Sequence, residues 1–461
     1  MHTGELGYWW RSLGGPPPRR APLQGALEAD VAIVGAGFTG LWTAYYLARA
    51  APSLRVVVLE REFAGFGASG RNGGWVMGSI SGPARAYEAS GGSEGVAALR
   101  RALVATVDEV GRFVAEHRLD ADYLKSGRLT VALNEPQLAR VREEMCAERA
   151  HGLGDDGDDD LRELSREDLE RRVRVAGARG ASFTPHVARV HPAKLLLGLV
   201  AACEELGVEI HESTPVRELR PHEAIATSGA VRARWVVRAT EGYTRSLRGY
   251  ERALVPMNSS MIITEPLAQD AWETIGWQGC ELLGDAANAY VYLQRTADGR
   301  VAIGGRGRPY RFGSRTDVAG ETPRSTISAL RAKLAAMFPA AAGARIEHAW
   351  SGVLGVPRDW CVSVAADHGS GIAWAGGYVG EGVAAANLAG RTLCELVLGE
   401  RGPFASLAWV GHRSRRWEPE PFRWCEIQGV YALYRAADRL EGRGRAPSRL
   451  ARLVDRASGR R

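Results

Sequence analysis

The chain has 461 residues, of which 45% are hydrophobic and 24% charged, so it can bury a substantial core and is not expected to be disordered. Its formal net charge of +6 comes almost entirely from arginines, which are interleaved with Asp and Glu along the chain. This distribution is typical of solvated faces and excludes a basic stripe for nucleic acid, so no nucleic-acid partner is expected.

Targeting and metal-binding signals are lacking in the sequence. No stretch approaches the ~20 consecutive apolar residues of a membrane-spanning helix, and the first residues lack the basic-then-apolar layout of a secretory signal. We therefore expect a cytoplasmic protein without a transmembrane segment. The six cysteines show no C-x-x-C spacing, which argues against a disulfide framework and a structural zinc site, and no metal is expected.

The chain begins with segments that predict a strap and then a βαβ unit. Residues 1–29 combine an aromatic and basic start with a proline-rich link, and we interpret them as an N-terminal strap over the surface. Residues 30–34 form an apolar run of the buried-strand type, and residues 41–48 have the periodicity of a helix. A second strand is predicted over 54–59.

The middle and the end of the chain alternate helical and strand patterns. Amphipathic helices are predicted over 93–120 and 135–151, followed by an acidic loop over 155–160 and a helix start at the capping box of Ser165 and Asp168. The remaining predicted elements are a helix over 194–206, strands over 208–210, 233–240, 261–264, 289–293 and 301–304, a helix over 325–338, and a strand followed by glycines over 371–377. The pattern of a nucleotide-binding domain thus occurs early, in the middle and late.

The central signal is the G-x-G-x-x-G motif from Gly35 to Gly40, because it directly follows a predicted strand and precedes a predicted helix. Gly35 permits the tight turn, Gly37 lets the backbone approach a pyrophosphate, and Gly40 lets helix and strand pack closely. Glu60, at the end of the next strand, would accept hydrogen bonds from ribose hydroxyls and repel the 2′-phosphate of NADP. The motif therefore predicts a dinucleotide site; the alternative is a glycine-rich turn without a ligand.

A second glycine-rich segment over 65–75 carries Arg71 and Asn72 among residues with small side chains. Such a segment can lie flat beside a large planar ligand and hydrogen-bond phosphate or ring edges, whereas the alternative is a flexible glycine loop.

Residues 30–40, 60–61 and 68–74 resemble the D-amino-acid oxidase/glycine oxidase family of FAD-dependent oxidoreductases, above all the branch with gamma-glutamylputrescine oxidoreductase and aminophosphonate oxidase-like proteins. The resemblance implies an α/β fold in which a Rossmann-type FAD-binding domain, discontinuous in sequence, carries an inserted antiparallel-sheet α+β substrate domain. The expected boundaries are 1–29 for the strap, 30–92, 152–250 and 345–400 for the FAD-binding domain, 93–151 and 251–344 for the substrate domain, and 401–461 for a C-terminal helical extension.

The resemblance also implies which residues hold FAD. Residues 207–216 and 236–244 are similar to the family segments beside the adenine and the adenosine, and residues 376–383 to the loop that closes over the isoalloxazine. The expected cofactor-binding residues are Gly35, Ala36, Gly37, Phe38, Thr39, Gly40, Glu60, Arg61, Ala68, Ser69, Arg71, Asn72, Gly73, Gly74, Val216, Ala239, Thr240, Gly377, Tyr378, Gly380, Gly382 and Val383. No cysteine aligns with a covalent attachment site, so the FAD is expected to be non-covalent.

The expected reaction is hydride transfer from a small amine to flavin N5, giving an imine that hydrolyses to an aldehyde or keto product. The final electron acceptor is oxygen or another acceptor. The residues do not predict a catalytic acid or base. Two alternatives stay open: an FAD-dependent dehydrogenase of a non-amine substrate such as a hydroxy acid, and a binding protein that keeps the fold without turnover.

The substrate is expected to lie where the strand-rich segment covers the flavin. Candidate substrate-binding residues are Trp75, Tyr290, Tyr292, Arg306, Trp350 and Tyr378. Tyr290 and Tyr292 are two residues apart, so they point to one face of a strand; the alternative is two core tyrosines. Arg306 follows a predicted strand and could hold an anionic tail; the alternative is a surface arginine.

One segment departs from the family pattern. Glycine and D-amino-acid oxidases carry a carboxylate-gripping arginine in a G-x-R-P-like segment after the equivalent of Trp350. Here Val356 precedes Pro357, and Arg358 is displaced by two residues. An amine without an α-carboxylate is therefore favoured over a plain α-amino acid.

Overall fold

The computed structural model of the chain describes residues 1–4, 6–151, 160–307, 309–316 and 319–444. Most of the predicted acidic loop (155–159) and the last part of the predicted C-terminal extension (445–461) lie outside these residues.

The secondary structure is mixed throughout the described chain. The α-helices are α1 (Tyr8–Arg11), α2 (Phe38–Ala50), α3 (Ala84–Glu116, broken at Gly92), α4 (Glu135–Arg149), α5 (Arg166–Glu170), α6 (Pro192–Glu205), α7 (Gln269–Ile275), α8 (Arg324–Met337), α9 (Gly382–Leu398) and α10 (Phe422–Glu441). The strands are β1 (His2–Thr3), β2 (Gly25–Val34), β3 (Val56–Leu59), β4 (Trp75–Met77), β5 (Leu124–Lys125), β6 (Arg128–Ala132), β7 (Arg162–Ser165), β8 (Gly180–Thr184), β9 (Val187–Arg189), β10 (Glu209–His211), β11 (Val216–Arg220), β12 (Glu223–Ala226), β13 (Gly229–Arg238), β14 (Val255–Thr264), β15 (Leu282–Asp285), β16 (Val291–Arg295), β17 (Val301–Gly305), β18 (Ile346–Val356), β19 (Ser363–Asp367) and β20 (Ile372–Gly376). Short 3-10 helices lie at Ala68–Gly70, Glu241–Ser246, Phe312–Ser314 and Pro339–Ala341.

An eight-stranded sheet forms the dinucleotide-binding half of the molecule. Its order is β10-β3-β2-β13-β12-β11, and β20 pairs with β13 and carries β19 beside it. The pairs among β10, β3, β2, β13 and β20 are parallel. Helices α2, α6 and α9 pack together beside this sheet. The arrangement is the predicted α/β unit of the Rossmann type, and it is assembled from early, middle and late segments.

A nine-stranded sheet forms the other half, in the order β1-β18-β14-β17-β16-β15-β6-β8-β7. Its pairs are antiparallel except β1 with β18 and β15 with β6. Two sequence-based boundaries change here. Residues 162–184 and 346–356 were both predicted within the FAD-binding domain. The first range supplies β7 and β8 to this sheet, and the second supplies β18. The reason is that hydrophobic alternation identifies a strand but not its partner.

The predicted strap is anchored in the core instead of lying on the surface. Tyr8, Trp9 and Trp10 are buried in α1, and β1 pairs with β18. Strand β2 already begins at Gly25, inside the segment predicted as the strap. The capping box of Ser165 and Asp168 is confirmed at the start of α5. Within the described ranges, no helix combines the length and apolarity that crossing a membrane requires.

Candidate cofactor and substrate site

The glycine motif joins β2 to α2 in a turn that leaves no room for side chains. Gly35 has a φ of +109°, and a Cβ on it would lie 2.5 Å from the carbonyl oxygen of Ala239. A Cβ on Gly40 would lie 1.9 Å from the carbonyl oxygen of Gly35. The close contact of turn, helix and neighbouring strand therefore depends on glycine at both positions, and it exposes backbone N–H groups at the start of α2.

The hydroxyl of Ser69 and the carboxylate of Glu60 border this turn. The backbone N–H of Phe38, in the first turn of α2, donates to Ser69 Oγ at 2.8 Å. The N–H groups of Ala36 and Glu62 each donate to one oxygen of Glu60, both at 2.9 Å. Burial raises the pKa of the Glu60 carboxyl, against the two N–H groups, which lower it. Glu60 is thus fixed just after β3, beside the turn.

A continuous cleft, the cofactor cavity, runs from this turn toward the start of α9. Of the predicted cofactor-binding residues it is lined by Gly35, Gly37, Phe38, Thr39, Glu60, Arg61, Ala68, Ser69, Asn72, Val216, Ala239, Thr240, Tyr378, Gly380, Gly382 and Val383. Ala36, Gly40, Gly74 and Gly377 are not among its lining residues, and Arg71 and Gly73 line the neighbouring cavity described below. A cleft with a glycine turn at one end, an acidic residue beside it and an extended middle fits a dinucleotide.

Tyr243 and Glu241 also line the cofactor cavity; the sequence analysis quoted their segment, 236–244, but did not select either residue. The guanidinium of Arg61 lies 4.7 Å from the centroid of the Tyr243 ring. Both missed residues follow β13, so their position after a strand of the Rossmann unit was a signal, but nothing in the sequence distinguished their side chains from ordinary turn residues.

Glu241 joins three segments at the far end of the cofactor cavity. Its carboxylate accepts from the N–H of Gly377 at 2.8 Å, of Gly355 at 3.2 Å and of Tyr378 at 3.3 Å. Burial raises the pKa of this carboxyl to about 7, although the three N–H groups and Arg238 lower it. Glu241 therefore holds the glycine loop before α9 against β18.

The N-terminus of α9 borders both cavities. Gly380 and Val383 line each of them, and the residue before the helix, Glu381, makes no side-chain cap to the first turn. The free N–H groups and the positive end of the helix dipole favour negative charge on a bound group here. The structure places this loop at the junction of the two cavities, and its expected closure over the isoalloxazine stays a prediction.

A second cavity of about 390 Å³, the substrate-side cavity, adjoins the cofactor cavity. The residues common to the two are Ala68, Asn72, Leu354, Gly380 and Val383. The substrate-side cavity crosses one face of the nine-stranded sheet from β18 through β14, β17, β16 and β15 to β6. Five interstrand spacings of about 4.8 Å give a span of about 24 Å. It is lined on these strands by Gly352, Leu354, Ser259, Gly305, Val291, Tyr292, Gly284, Asp285, Arg128 and Thr130.

Four of the predicted substrate residues line this cavity: Trp75, Tyr290, Tyr292 and Arg306. The Tyr292 hydroxyl shares a hydrogen bond of 2.9 Å with Ser259 Oγ, and its ring meets Trp75 edge to face at 6.0 Å. Arg306 is half-buried and donates to the carbonyl oxygen of Val379 at 2.7 Å, so it is not a surface arginine. Whether these four residues bind substrate stays a prediction.

Trp350 and Tyr378 take other positions. Trp350 is fully buried and lines neither cavity; its Nε1–H donates to the carbonyl oxygen of Arg71 at 2.9 Å. Its ring packs edge to face against Trp9 with the centroids 6.0 Å apart, a contact between distant segments that sequence spacing alone did not reveal. Tyr378 lines the cofactor cavity, where its hydroxyl lies 3.0 Å from Thr39 Oγ1.

Arg358 does not replace the arginine that the family segment carries. Its guanidinium donates to the carboxylates of Glu418 at 3.0 Å and Glu426 at 2.7 Å, and it is not among the residues that line the substrate-side cavity. The expectation of an amine without an α-carboxylate stays a prediction.

Glu381 places a carboxylate in the substrate-side cavity, directly beside the junction residue Gly380. The hydroxyl of Ser79 donates to Glu381 Oε2 at 2.6 Å, and that of Ser81 at 3.5 Å. Burial raises the pKa of this carboxyl, while the nearby guanidinium groups of Arg128 and Arg100 lower it. The sequence analysis quoted the loop but did not select Glu381, since a glutamate before a helix is usually a solvated first-turn residue.

Comparison with known proteins places the chain in a family. The model of the DAO family, described as FAD dependent oxidoreductase, matches residues 30–396. The chain belongs to this family. It is an FAD-dependent oxidoreductase, and the resemblance stated from the sequence is confirmed together with its FAD cofactor.

Relatives and solved structures agree with this assignment. Gamma-glutamylputrescine oxidoreductase of Escherichia coli is 30% identical over 398 residues, which cover 85% of this chain and 88% of the relative. The probable oxidoreductase OrdL of Haemophilus influenzae is 28% identical over 391 residues, 82% of this chain and 85% of the relative. Glycine oxidase from Geobacillus kaustophilus has the same fold, with a TM-score of 0.67 at 20% identity over 82% of this chain and 96% of that structure.

Proposed function

We propose that this enzyme oxidises the C–N bond of an amine, with a non-covalently held FAD as the hydride acceptor at N5, and releases an imine that hydrolyses to an aldehyde or keto product. The observation that carries the proposal is the carboxylate of Glu381, which lies in the substrate-side cavity next to the residues shared with the cofactor cavity. A carboxylate at this point is opposite in charge to the ammonium group of an amine and can accept its hydrogen bonds. The name of the Escherichia coli relative refers to an amine, gamma-glutamylputrescine.

Different residues of this chain would hold different parts of the FAD. Gly35, Gly37 and the first turn of α2 would hold the pyrophosphate, and Glu60 the ribose. The uncapped N-terminus of α9 would stabilise negative charge on the part of the flavin bound beside Gly380. These roles are proposals, and they account for the glycine positions that leave no room for a Cβ.

Glu381 has two roles in the proposed reaction. An amine loses hydride from its α-carbon only when its nitrogen is neutral, so the ammonium proton has to leave first. Glu381 would bind the ammonium group as a carboxylate and take that proton, becoming a neutral carboxyl group. Ser79 Oγ, which donates to Glu381 Oε2 at 2.6 Å, orients the carboxylate. Tyr292 and Trp75 would then form the apolar wall against the carbon chain of the substrate.

The experiment is an anaerobic titration of the purified yellow protein with butylamine, putrescine, glycolate and lactate, followed through the visible flavin absorbance. Loss of absorbance with the amines and not with the hydroxy acids supports the proposal. Loss with the hydroxy acids alone supports the other candidate, a hydroxy-acid dehydrogenase, and a protein that never bleaches is a binding protein without turnover. Admission of air after bleaching then separates oxygen from another electron acceptor by the rate at which the absorbance returns.

A further inference from the structure

The C-terminal helix α10 lies beyond the part of the chain that the family model matches, which ends at residue 396. It nevertheless contacts residues of the substrate-side cavity at two separate places. An element outside the family region that builds this cavity can give the enzyme a substrate preference of its own.

The first contact is apolar. Ile427 and Tyr431 of α10 belong to one hydrophobic cluster with Trp360 and Val379. Trp360 and Val379 also line the substrate-side cavity. The middle of α10 thus backs the wall of the cavity.

The second contact is polar and lies at the last turn of α10. Both carboxylate oxygens of Glu441 accept from Arg140 Nη2, at 3.0 and 2.9 Å, and Arg140 Nη1 donates to the carbonyl oxygen of Ala286. The pair is buried, with exposed fractions of 9% for Arg140 and 1% for Glu441. Arg140 and Ala286 both line the cavity. Glu441 therefore fixes a cavity-lining guanidinium that would otherwise have to be solvated.

Asp438, three residues earlier in the same turn, fixes a second hydrogen-bond donor at the same end. Its carboxylate accepts from the backbone N–H and the side-chain Nδ2 of Asn288, both at 2.8 Å, and from the N–H of Ala289 at 2.9 Å. Asn288 also lines the cavity. The last turn of α10 thus holds two donor-bearing side chains, Arg140 and Asn288, on one rim.

This rim is the end of the cavity that is remote from the cofactor. The junction with the cofactor cavity includes Leu354 on β18, whereas Ala286 and Asn288 follow β15, next to β6 at the other end of the lined strands. The neighbouring carboxylate of Asp285 is neutralised by Lys333 at 2.7 Å and accepts from the N–H of Val291. Arg128 starts from β6 and adds a further guanidinium to the lining, and its charge lowers the pKa of the Glu381 carboxyl.

We propose that α10 builds a carboxylate-binding subsite, in which Arg140 and Asn288, positioned by Glu441 and Asp438, receive the far end of an amine whose reacting nitrogen lies at Glu381. The substrate class is then an ω-amino acid or a longer amine that ends in a carboxylate. This inference rests on the proposed function for the reacting end. Glu144 on α4 also lines the subsite, so a second ammonium group at the far end is the competing outcome.

The experiment compares three substrate series of matched chain length with the FAD-loaded enzyme: straight-chain ω-amino acids, n-alkylamines and α,ω-diamines. We expect the ω-amino acids to have the lowest KM at the chain length that spans the cavity. The double variant Arg140→Gln/Glu441→Gln removes both charges together, so that no buried charge loses its partner. It should raise KM for the ω-amino acid about tenfold or more, because the carboxylate loses a charge-assisted hydrogen bond, and leave KM unchanged for the n-alkylamine, which has no carboxylate.

A second variant and a second readout keep the subsite testable apart from catalysis. Asp438→Asn should also raise KM for the ω-amino acid. Glu426→Gln should not, because Glu426 lies on the same helix but pairs with Arg358 outside the cavity. Calorimetric titration of the FAD-loaded enzyme with hexanoate, which has no amine to oxidise, should show binding that the double variant weakens. Preference for diamines, equal KM for all three series, or hexanoate binding that the double variant leaves unchanged would overturn the subsite. Failure of every amine to bleach the flavin would instead overturn the proposed function.

Discussion

The two closest backbone contacts of the cofactor turn are made at single glycines, and one of them has a matched control in the same chain. Gly35 and Gly207 both have positive φ, +109° and +81°, but only Gly35 has backbone atoms in the space of a Cβ. An alanine at Gly207 meets nothing within 4 Å. Comparing alanine variants at the two positions therefore separates the effect of the backbone contact from the strain of a left-handed residue.

We expect Gly207→Ala to cost about 1–2 kcal/mol, the strain of the left-handed backbone alone. Gly35→Ala should cost a further 1–3 kcal/mol, roughly, because the Cβ at 2.5 Å from the Ala239 oxygen forces β2 and β13 apart at the turn. Urea unfolding of both variants and the amount of FAD retained on purification measure this. Equal destabilisation and equal FAD content in the two variants would contradict the role of the contact.

Glu381 should govern the pH dependence of amine oxidation. Burial raises the pKa of its carboxyl, and it faces Ser79, Ser81 and the guanidinium groups of Arg100 and Arg128. Below this raised pKa the carboxyl is protonated and neither binds an ammonium group nor accepts its proton. The rate should therefore rise as pH increases through it.

In the Glu381→Gln variant, kcat/KM for an amine should no longer rise with pH through this pKa, and it should be about 10²-fold or more below the wild-type value. The measurement is kcat/KM against pH for the wild type, Glu381→Gln and the conservative Glu381→Asp, with FAD content as the check on structure. In Glu381→Asp, kcat/KM should still rise with pH, but around a different pH. If Glu381→Gln keeps the wild-type pH profile, the rise in kcat/KM is due to another titrating group and Glu381 does not accept the proton.

At the scale of elements, Glu241 is the point where β13, β18 and the loop before α9 meet. Its carboxylate accepts from backbone N–H groups on two of these segments, and its own backbone follows the third. Since burial raises the pKa of Glu241 to about 7, its neutral form is favoured in the folded protein relative to the unfolded chain. This contribution to stability is present at acid pH and is lost as pH rises through about 7.

We therefore expect the wild type to lose up to about 3 kcal/mol relative to Glu241→Gln as pH rises from below the ordinary glutamate pKa to above 7. The comparison uses urea unfolding of the two FAD-free proteins at a series of pH values, since other titrating groups cancel in the difference. The Gln variant places an amide against the N–H donors and should be the less stable of the two at low pH. A difference in stability that does not change with pH would show that Glu241 keeps an ordinary pKa.

Elements that depend on neighbouring residues were predicted from the sequence, and contacts between distant segments were not. The strand, turn and helix around Gly35, the acidic residue Glu60 and the capping box of Ser165 follow from local spacing. The pair of Arg140 and Glu441 is separated by 301 residues, so no local pattern announces it. The same limit explains why Trp350 was expected in the substrate pocket although it faces the core.

For the whole molecule, the position of the cofactor cavity has a mechanical consequence. Its lining combines Gly35 and Val383 from segments around the eight-stranded sheet with Leu354 from β18 of the nine-stranded sheet. A ligand that fills this cavity contacts both halves and stabilises them together. The family model likewise extends across residues 30–396, beyond the first βαβ unit.

Binding of FAD should accordingly raise the stability of the entire described fold, by about 2.7 kcal/mol when free FAD is at 100 times its Kd. Glu60→Gln places an amide N–H against the N–H of Ala36 or Glu62, so more FAD should be needed for the same rise in Tm. Glu209→Gln is the control, because the Glu209 carboxylate pairs with the exposed Arg55 at 2.7 Å and neither residue lines the cavity. Thermal unfolding at increasing FAD, followed by tryptophan fluorescence and by limited proteolysis, measures both halves. Identical FAD dependence in Glu60→Gln and Glu209→Gln would remove Glu60 from the cofactor site, and a Tm that FAD does not move would argue against the cavity as the place where FAD binds.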